Sequence, residues 1–148
     1  MPAYNFTERT RMALMVAGIE AAEFGHEYIG TEHILLALIR DTDDPAVIAL
    51  THLGANLAEI RATIAATVKK GGSATPAGAQ RPYTSRVKHV LELAMIAARE
   101  DNHSPVGTPH LLLGLLREKV GIAAQVLQRA GVTAAGLEAA IDRATGDV

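Results

Sequence analysis

Apolar residues recur at helical spacing along most of the chain. Leu14, Ala17 and Ala21 fall on one face of a stretch that starts after Thr7, runs to about Phe24 and stops at Gly25. Thr7 is placed to cap that helix, and Glu8 is favourable in its first turn. A second stretch, with the apolar run Ile34–Ile39, opens at Gly30-Thr31, where Thr31 reads as the cap. Asp44-Pro45 starts a third helix ending at Gly54, and Asn56 caps a fourth, Leu57–Lys70. The same four-part pattern then returns. One helix runs from Thr84 to Asp101-Asn102, with Leu91, Ala94 and Ala98 on its buried stripe. The next is capped by Thr108 with Pro109 at its first helical position. The last two cover about Val120–Ala130, stopping at Gly131, and Ala134–Ala144, capped by Thr133. No segment alternates well enough to be a strand. The pattern predicts an all-α fold of eight helices.

The return of the pattern is a sequence repeat. Shifted by 77 positions, Thr7–Ile64 lies over Thr84–Ile141 without a gap, and 21 of the 58 pairs are identical. The densest match sets Gly30-Thr31-Glu32-His33 and the run to Arg40 over Gly107-Thr108-Pro109-His110 and the run to Arg117. The organisation expected is a single domain, 1–148, with repeat 1 over about 4–70, a linker at 71–82 and repeat 2 over about 83–145. The linker, rich in Gly, Ala and Pro, reads as flexible or extended. Each half is close to the size below which one core is marginal, so the two should pack together as a pseudo-twofold globule.

Composition sharpens this in a few places. Hydrophobic residues make up 49% of the chain but aromatics only 3%, with no Trp, so the core is aliphatic. A net charge of -2 gives no electrostatic reason to expect nucleic acid or an anionic membrane. With no cysteine, disulfides and thiol chemistry are excluded. Apolar runs fall far short of a membrane span, the N-terminus lacks a signal-peptide pattern, and a cytoplasmic location is expected. There is no G-x-x-x-x-G-K-[ST] motif and no nucleophile elbow, so a catalytic role is not expected.

Three features invite chemistry. Glu23-x-x-His26 and Glu100-x-x-His103 share the E-x-x-H spacing of di-iron bundles, but Gly25 and Asp101-Asn102 interrupt them at helix ends, and the helices are too short for such a bundle. His26 and His103 are expected instead to bond the last carbonyls of their helices, and no metal or cofactor is expected. His33 and His110, in the first turn of a helix, should hydrogen-bond a neighbouring loop. Gly30-Thr31-Glu32 is the third: free N–H groups at a helix start suit an anion, and Glu32 suits a guanidinium. Glu32 could equally be a first-turn carboxylate favoured by the helix dipole.

Three segments together resemble the N-terminal domain of ClpC-type AAA+ protein unfoldases: Phe6-Thr7-Glu8-Arg9-Thr10-Arg11, His26 through Ile39, and Tyr83 through Leu93. The likeness covers about residues 4–145, repeat and linker included. It implies an eight-helix domain that receives adaptors and marked substrates for the Clp protease machine. It also implies phosphoarginine binding, one site per repeat, with Glu32 engaging the guanidinium and Thr31 beside it. In the second repeat Pro109 replaces that glutamate, so one intact site is expected. Actinobacterial members bind antibiotic cyclic peptides near the starts of both first helices, which points to Phe6, Arg11, Leu14, Tyr83, Lys88 and Glu92. The family's aromatic near the N-terminus is replaced here by Ala3 or supplied by Tyr4. The resemblance implies a monomeric protein-recognition domain, either stand-alone (adaptor, competitor or antibiotic sponge) or the substrate-delivery part of a full ATP-dependent unfoldase.

Overall fold

The computed structural model describes residues 5–102 and 105–145, which leaves Ala3, Tyr4 and His103 outside the described residues. Among those described, the chain forms eight helices: α1 (Glu8–Glu23), α2 (Thr31–Ile39), α3 (Pro45–His52), α4 (Leu57–Thr67), α5 (Ser85–Glu100), α6 (Thr108–Glu118), α7 (Ile122–Arg129) and α8 (Ala134–Thr145). The described residues include no strand, and none of these helices is long and apolar enough to cross a membrane.

Most starts follow side-chain capping chemistry. Thr7, Asp44, Asn56 and Thr84 accept the N–H of Thr10, Ala46, Glu59 and Val87, and Thr133 accepts that of Gly136. Two starts differ from expectation. The caps of α2 and α6 are Gly30 and Gly107, so Thr31 and Thr108 are the first helical residues and Pro109 the second. The cause is the histidine at the third helical position, which reaches back over the turn. His33 Nδ1 accepts the Gly30 N–H at 2.8 Å, and His110 Nδ1 accepts the Gly107 N–H at 2.9 Å. The threonine hydroxyls are thereby released to act across the repeat boundary.

They do so at equivalent places. Thr31 Oγ1 accepts the Ala123 N–H at the start of α7, while Thr108 donates to Asp44, the cap of α3. The chain entering α1 makes a parallel bridge with the segment entering α6 (Phe6 with Val106), and the chain entering α5 does the same with the segment entering α2 (Tyr83 with Ile29). Helix pairs α1/α2 and α5/α6 pack within repeats, whereas α3 packs on α8 and α7 on α4. One core results, with Ile34, Leu35, Leu36, Leu50 and Ile64 from the first half against Leu111, Leu112, Leu115, Leu127 and Leu137 from the second. Each such side chain contributes about 1.5–3 kcal/mol only when covered, and neither half covers its own.

The linker is anchored at its start. Rather than running free, it is tied back to the end of α1, where the Gly71 and Ser73 N–H groups donate to the Phe24 and Gly25 carbonyls. Gly25 has φ +71, and a Cβ there would strike the Gly71 carbonyl. At the equivalent turn after α5, Asn102 takes the same left-handed conformation (φ 57). The fourth helix also ends at Thr67, short of Lys70, because Val68 is already extended.

Candidate functional site

The turn into α2 is fixed by a chain of hydrogen bonds whose direction is set by its first member. Because His33 Nδ1 accepts from Gly30, the proton of the neutral ring lies on Nε2. That N–H donates to His26 Nδ1 at 2.8 Å, and His26 Nε2–H then donates to the Lys69 carbonyl at 2.7 Å. His26 therefore bonds the segment after α4, not the last carbonyls of α1. It is stacked between Phe24 and Tyr28. His33 is fully buried, and burial, His26 and Arg81 together lower its pKa to about 4, which keeps the ring neutral. The expectation of a first-turn histidine bonded to a neighbouring loop is met at both repeats, His110 donating to Asp101 instead.

Beside this turn lies an open groove of about 660 Å³ walled by both repeats. Repeat 1 supplies Tyr28, Gly30, Thr31 and Glu32; repeat 2 supplies Thr84, Ser85, Arg86 and His89 from the start of α5, and Glu118 to Ile122 from the turn between α6 and α7. Glu32 is half-buried and forms no ion pair with the described residues. Its carboxylate folds back over Gly30, where a Cβ would lie 2.5 Å from Oε1. Gly30 offers no side chain to cap the first N–H groups of α2. The Thr31 hydroxyl is buried and committed to α7, so what Thr31 offers the groove is its backbone. Across the groove the half-exposed Arg86 guanidinium pairs at 3.0 Å with Glu118, which is buried and also accepts the Gly121 N–H. Gly121 lets the α6–α7 turn lie close against α2, since a Cβ there would lie 2.7 Å from Thr31 Oγ1 and 2.8 Å from Glu118 Oε1.

A second groove, about 790 Å³ and more apolar, runs between α1 and the linker. It brings together four residues named from the sequence, Phe6, Arg11, Leu14 and Tyr83, and adds Met15, Gly18, Ile19, Ile29 and linker residues 77–81. Lys88 and Glu92 are not part of its wall; Glu92 lies on the exposed face of α5, 3.6 Å from His89. Burial raises the Tyr83 hydroxyl pKa above its ordinary value, so it stays a neutral donor at the groove edge.

One group of potential metal ligands stands out among the described residues: His26, Glu32 and His33, with donor atoms within 4.8 Å of one another. Glu23, the partner suggested by E-x-x-H spacing, is instead paired with Arg40. In the histidine chain, Nδ1 of His33 accepts a hydrogen bond and Nε2 carries the proton, so that ring has no lone pair to give a metal.

Arg86, Glu118 and Gly121 were missed by reading the sequence. Their signal is the 77-residue shift: Arg86 and Glu118 align with Arg9 and Asp41, which form the same ion pair at 2.8 Å.

Comparison with known proteins agrees with this architecture. The family described as Clp repeat (R) N-terminal domain matches residues 5–100 and 83–148. A curated relative from Bacillus subtilis (strain 168), the negative regulator of genetic competence ClpC/MecB, is 44% identical over 129 residues, 87% of this chain and 16% of its own length. The chain thus spans about one sixth of that relative. Among solved structures, the N-terminal domain of the chaperone ClpD from Arabidopsis thaliana is similar with TM-score 0.73 and 26% identity, covering 93% of this chain and 92% of that one. A ClpV N-domain solved in complex with a VipB peptide shares the fold (TM-score 0.76, 14% identity, 99% and 96% coverage).

Proposed function

The chain belongs to the Clp repeat N-terminal domain family, and from that premise we propose that it is a non-catalytic recognition domain of a Clp protease system, reading phosphoarginine on marked proteins at the α2 groove. The carrying observation is Glu32: a half-buried carboxylate without an ion-pair partner among the described residues, set beside an uncapped helix start. A guanidinium fits the carboxylate. A phosphoryl group on the same side chain fits the open N–H groups at Thr31 and Glu32 and the Arg86 guanidinium opposite. Pro109 at the matching place in α6 offers neither the carboxylate nor the N–H, so the reading is of one site. Adaptors, substrates or cyclic peptides with apolar side chains would use the Phe6, Arg11, Leu14 and Tyr83 groove, with Lys88 and Glu92 outside it.

The domain acts as a monomer, without nucleic acid or membrane, in the cytoplasm. Two modes of action follow from this reading: apart from a motor, as adaptor, competitor or peptide sponge, or as the part that delivers substrate to an ATPase ring in the same chain. The reading frame after Val148 separates the two, a stop codon favouring the first and an open frame into a Walker motif the second.

The binding test is an NMR titration with phosphoarginine, with arginine and the Glu32→Ala variant as controls. Shifts confined to Thr31–His33 and Arg86, lost in the variant and absent at Thr108–His110, are expected. A parent chain silent at both helix starts overturns the phosphoarginine reading.

A further inference from the structure

The linker holds the most heavily bonded cation among the described residues. Arg81 is buried, and its guanidinium is held by backbone carbonyl oxygens. Nε donates to His26 at 2.8 Å, Nη2 to Thr75 at 3.1 Å, and Nη1 to Pro76, Ala77 and Ala79 at 3.1–3.4 Å. Four of those five acceptors belong to the linker itself, and the fifth belongs to the turn after α1. The arrangement uses four donors of a rigid fork, Nε–H, one Nη2 hydrogen and both Nη1 hydrogens, the last two shared among three carbonyls; an ammonium has three donors and no fork. The cation therefore wraps 75–79 around itself and pins the wrapped segment against repeat 1.

The wrapped segment has a position that matters. Ala77, Gly78, Ala79 and Gln80 form one wall of the apolar groove, facing Leu14, Met15 and Ile19 of α1. Met15 and Ile19 are exposed toward that groove. The repeat symmetry does not create this wall. The α5 face aligned with Leu14, Met15 and Ile19 is Leu91, Glu92 and Ile96, which carries a charge where α1 has Met15.

We propose that Arg81 is a positioning residue that turns the linker from a tether into the second wall of the peptide groove. The groove's fitness for apolar peptides then depends on a side chain that lies mostly beneath it. The proposal rests on the reading of that groove as a peptide face, and the test separates the two.

The test compares the parent with Arg81→Met, Arg81→Lys and Arg81→Ala in three measurements: elastase nicking between Ala77 and Gln80, amide exchange across the chain, and NMR titration with a cyclic hexapeptide of alternating Leu and Val. Nicking about tenfold to a hundredfold faster is expected in the Met and Lys variants, as for loss of a hydrogen-bonded charged group. Exchange in the cores of α2 and α6 should stay as in the parent. Peptide shifts at Leu14, Met15 and Tyr83 should weaken in step with the nicking. Millimolar ethylguanidinium should restore protection to Arg81→Ala, an effect general destabilisation does not produce. A linker as protected in Arg81→Met as in the parent overturns the proposal. So does peptide affinity unchanged in a variant whose linker has come loose. A parent that ignores the peptide while its linker responds as expected overturns the peptide reading and upholds the clasp.

Discussion

At the start of α2, His33 passes its Nε2–H to another histidine; at the start of α6, His110 passes it to the Asp101 carboxylate. The backbone geometry is the same, with a glycine cap, a threonine, and an imidazole bonded to the cap N–H. The consequences differ. In repeat 1 the histidine chain continues to Lys69 and so ties α2 to the end of α4 and the linker, beside a groove holding Glu32. In repeat 2 the bond stops at the end of α5, Pro109 replaces the acid, and the matching groove of about 560 Å³ is lined by Arg9, Asp41 and Asp44. Both copies keep the fold, and repeat 1 alone sets a half-buried carboxylate, without an ion pair among the described residues, beside its helix start. The comparison can be broken at several points.

The largest effect is expected at buried charge. Glu20 is fully buried in α1 and is paired with both Arg40 and Arg61. Its counterpart in α5 is Ala97, and the acid moves to Glu138, exposed beside Arg117. Arg40→Met with Arg61→Met strands a buried carboxylate and should cost about 3–5 kcal/mol in urea unfolding. Arg117→Met, which removes pairs with exposed acids, should cost about 1 kcal/mol or less.

Acid is the next probe. His33 titrates at about 4 in the folded chain against an ordinary 6.5, so the unfolded chain binds more protons between those values. Its contribution is complete above pH 6.5 and is lost as pH falls toward 4, about 3 kcal/mol in total. Unfolding measured across that range should show this slope in the parent and a shallower one in His33→Asn. Equal slopes would mean that the ring is not held neutral.

A third break lies between the helix pairs. Gly114 in α6 aligns with Ala37 in α2, and a Cβ at Gly114 would lie 2.6 Å from the Val90 carbonyl and 3.1 Å from the Ala94 nitrogen. Helices α5 and α6 are thus packed through backbone. Gly114→Ala should cost about 1–3 kcal/mol by forcing them apart, and a chemical melt that leaves the variant unchanged would contradict so close a contact.

The sequence revealed the fold through its periodicity and its repeat, because eight apolar stripes and their caps are local signals. Glu32 was visible for the same reason, lying in a helix-start motif. Arg81 and Gly121 were not. Arg81 acts through carbonyls that any sequence supplies, so nothing in the composition of 71–82 marks it, and the linker reads as loose. Gly121 matters for a side chain it lacks, against Thr31 from 90 positions earlier. The swapped contacts of Thr31 and Thr108 were hidden too, since their hydroxyls read locally as caps.

The smallest expected effect is the most discriminating. If the Gly-Thr-Glu-His motif were the whole site, Pro109→Glu would give α6 a working copy of it. The structure argues otherwise, because Gly121 brings the α6–α7 turn against Thr31 without a side chain, and the matching position is Asp44. The Asp44 carboxylate accepts from Thr108 and caps Ala46, filling the place and adding negative charge where a phosphoryl group would go. Pro109→Glu alone should therefore leave the shifts at Thr108–His110 unmoved by phosphoarginine. Combined with Asp44→Gly, which costs a few tenths to about 1 kcal/mol of cap stability, it should bind, with shifts at Thr108–His110 appearing at concentrations at least about tenfold below any that move the single variant. Binding by Pro109→Glu alone would show that the motif suffices. The difference between the repeats would then reduce to one residue and not to the shape that both repeats build around it.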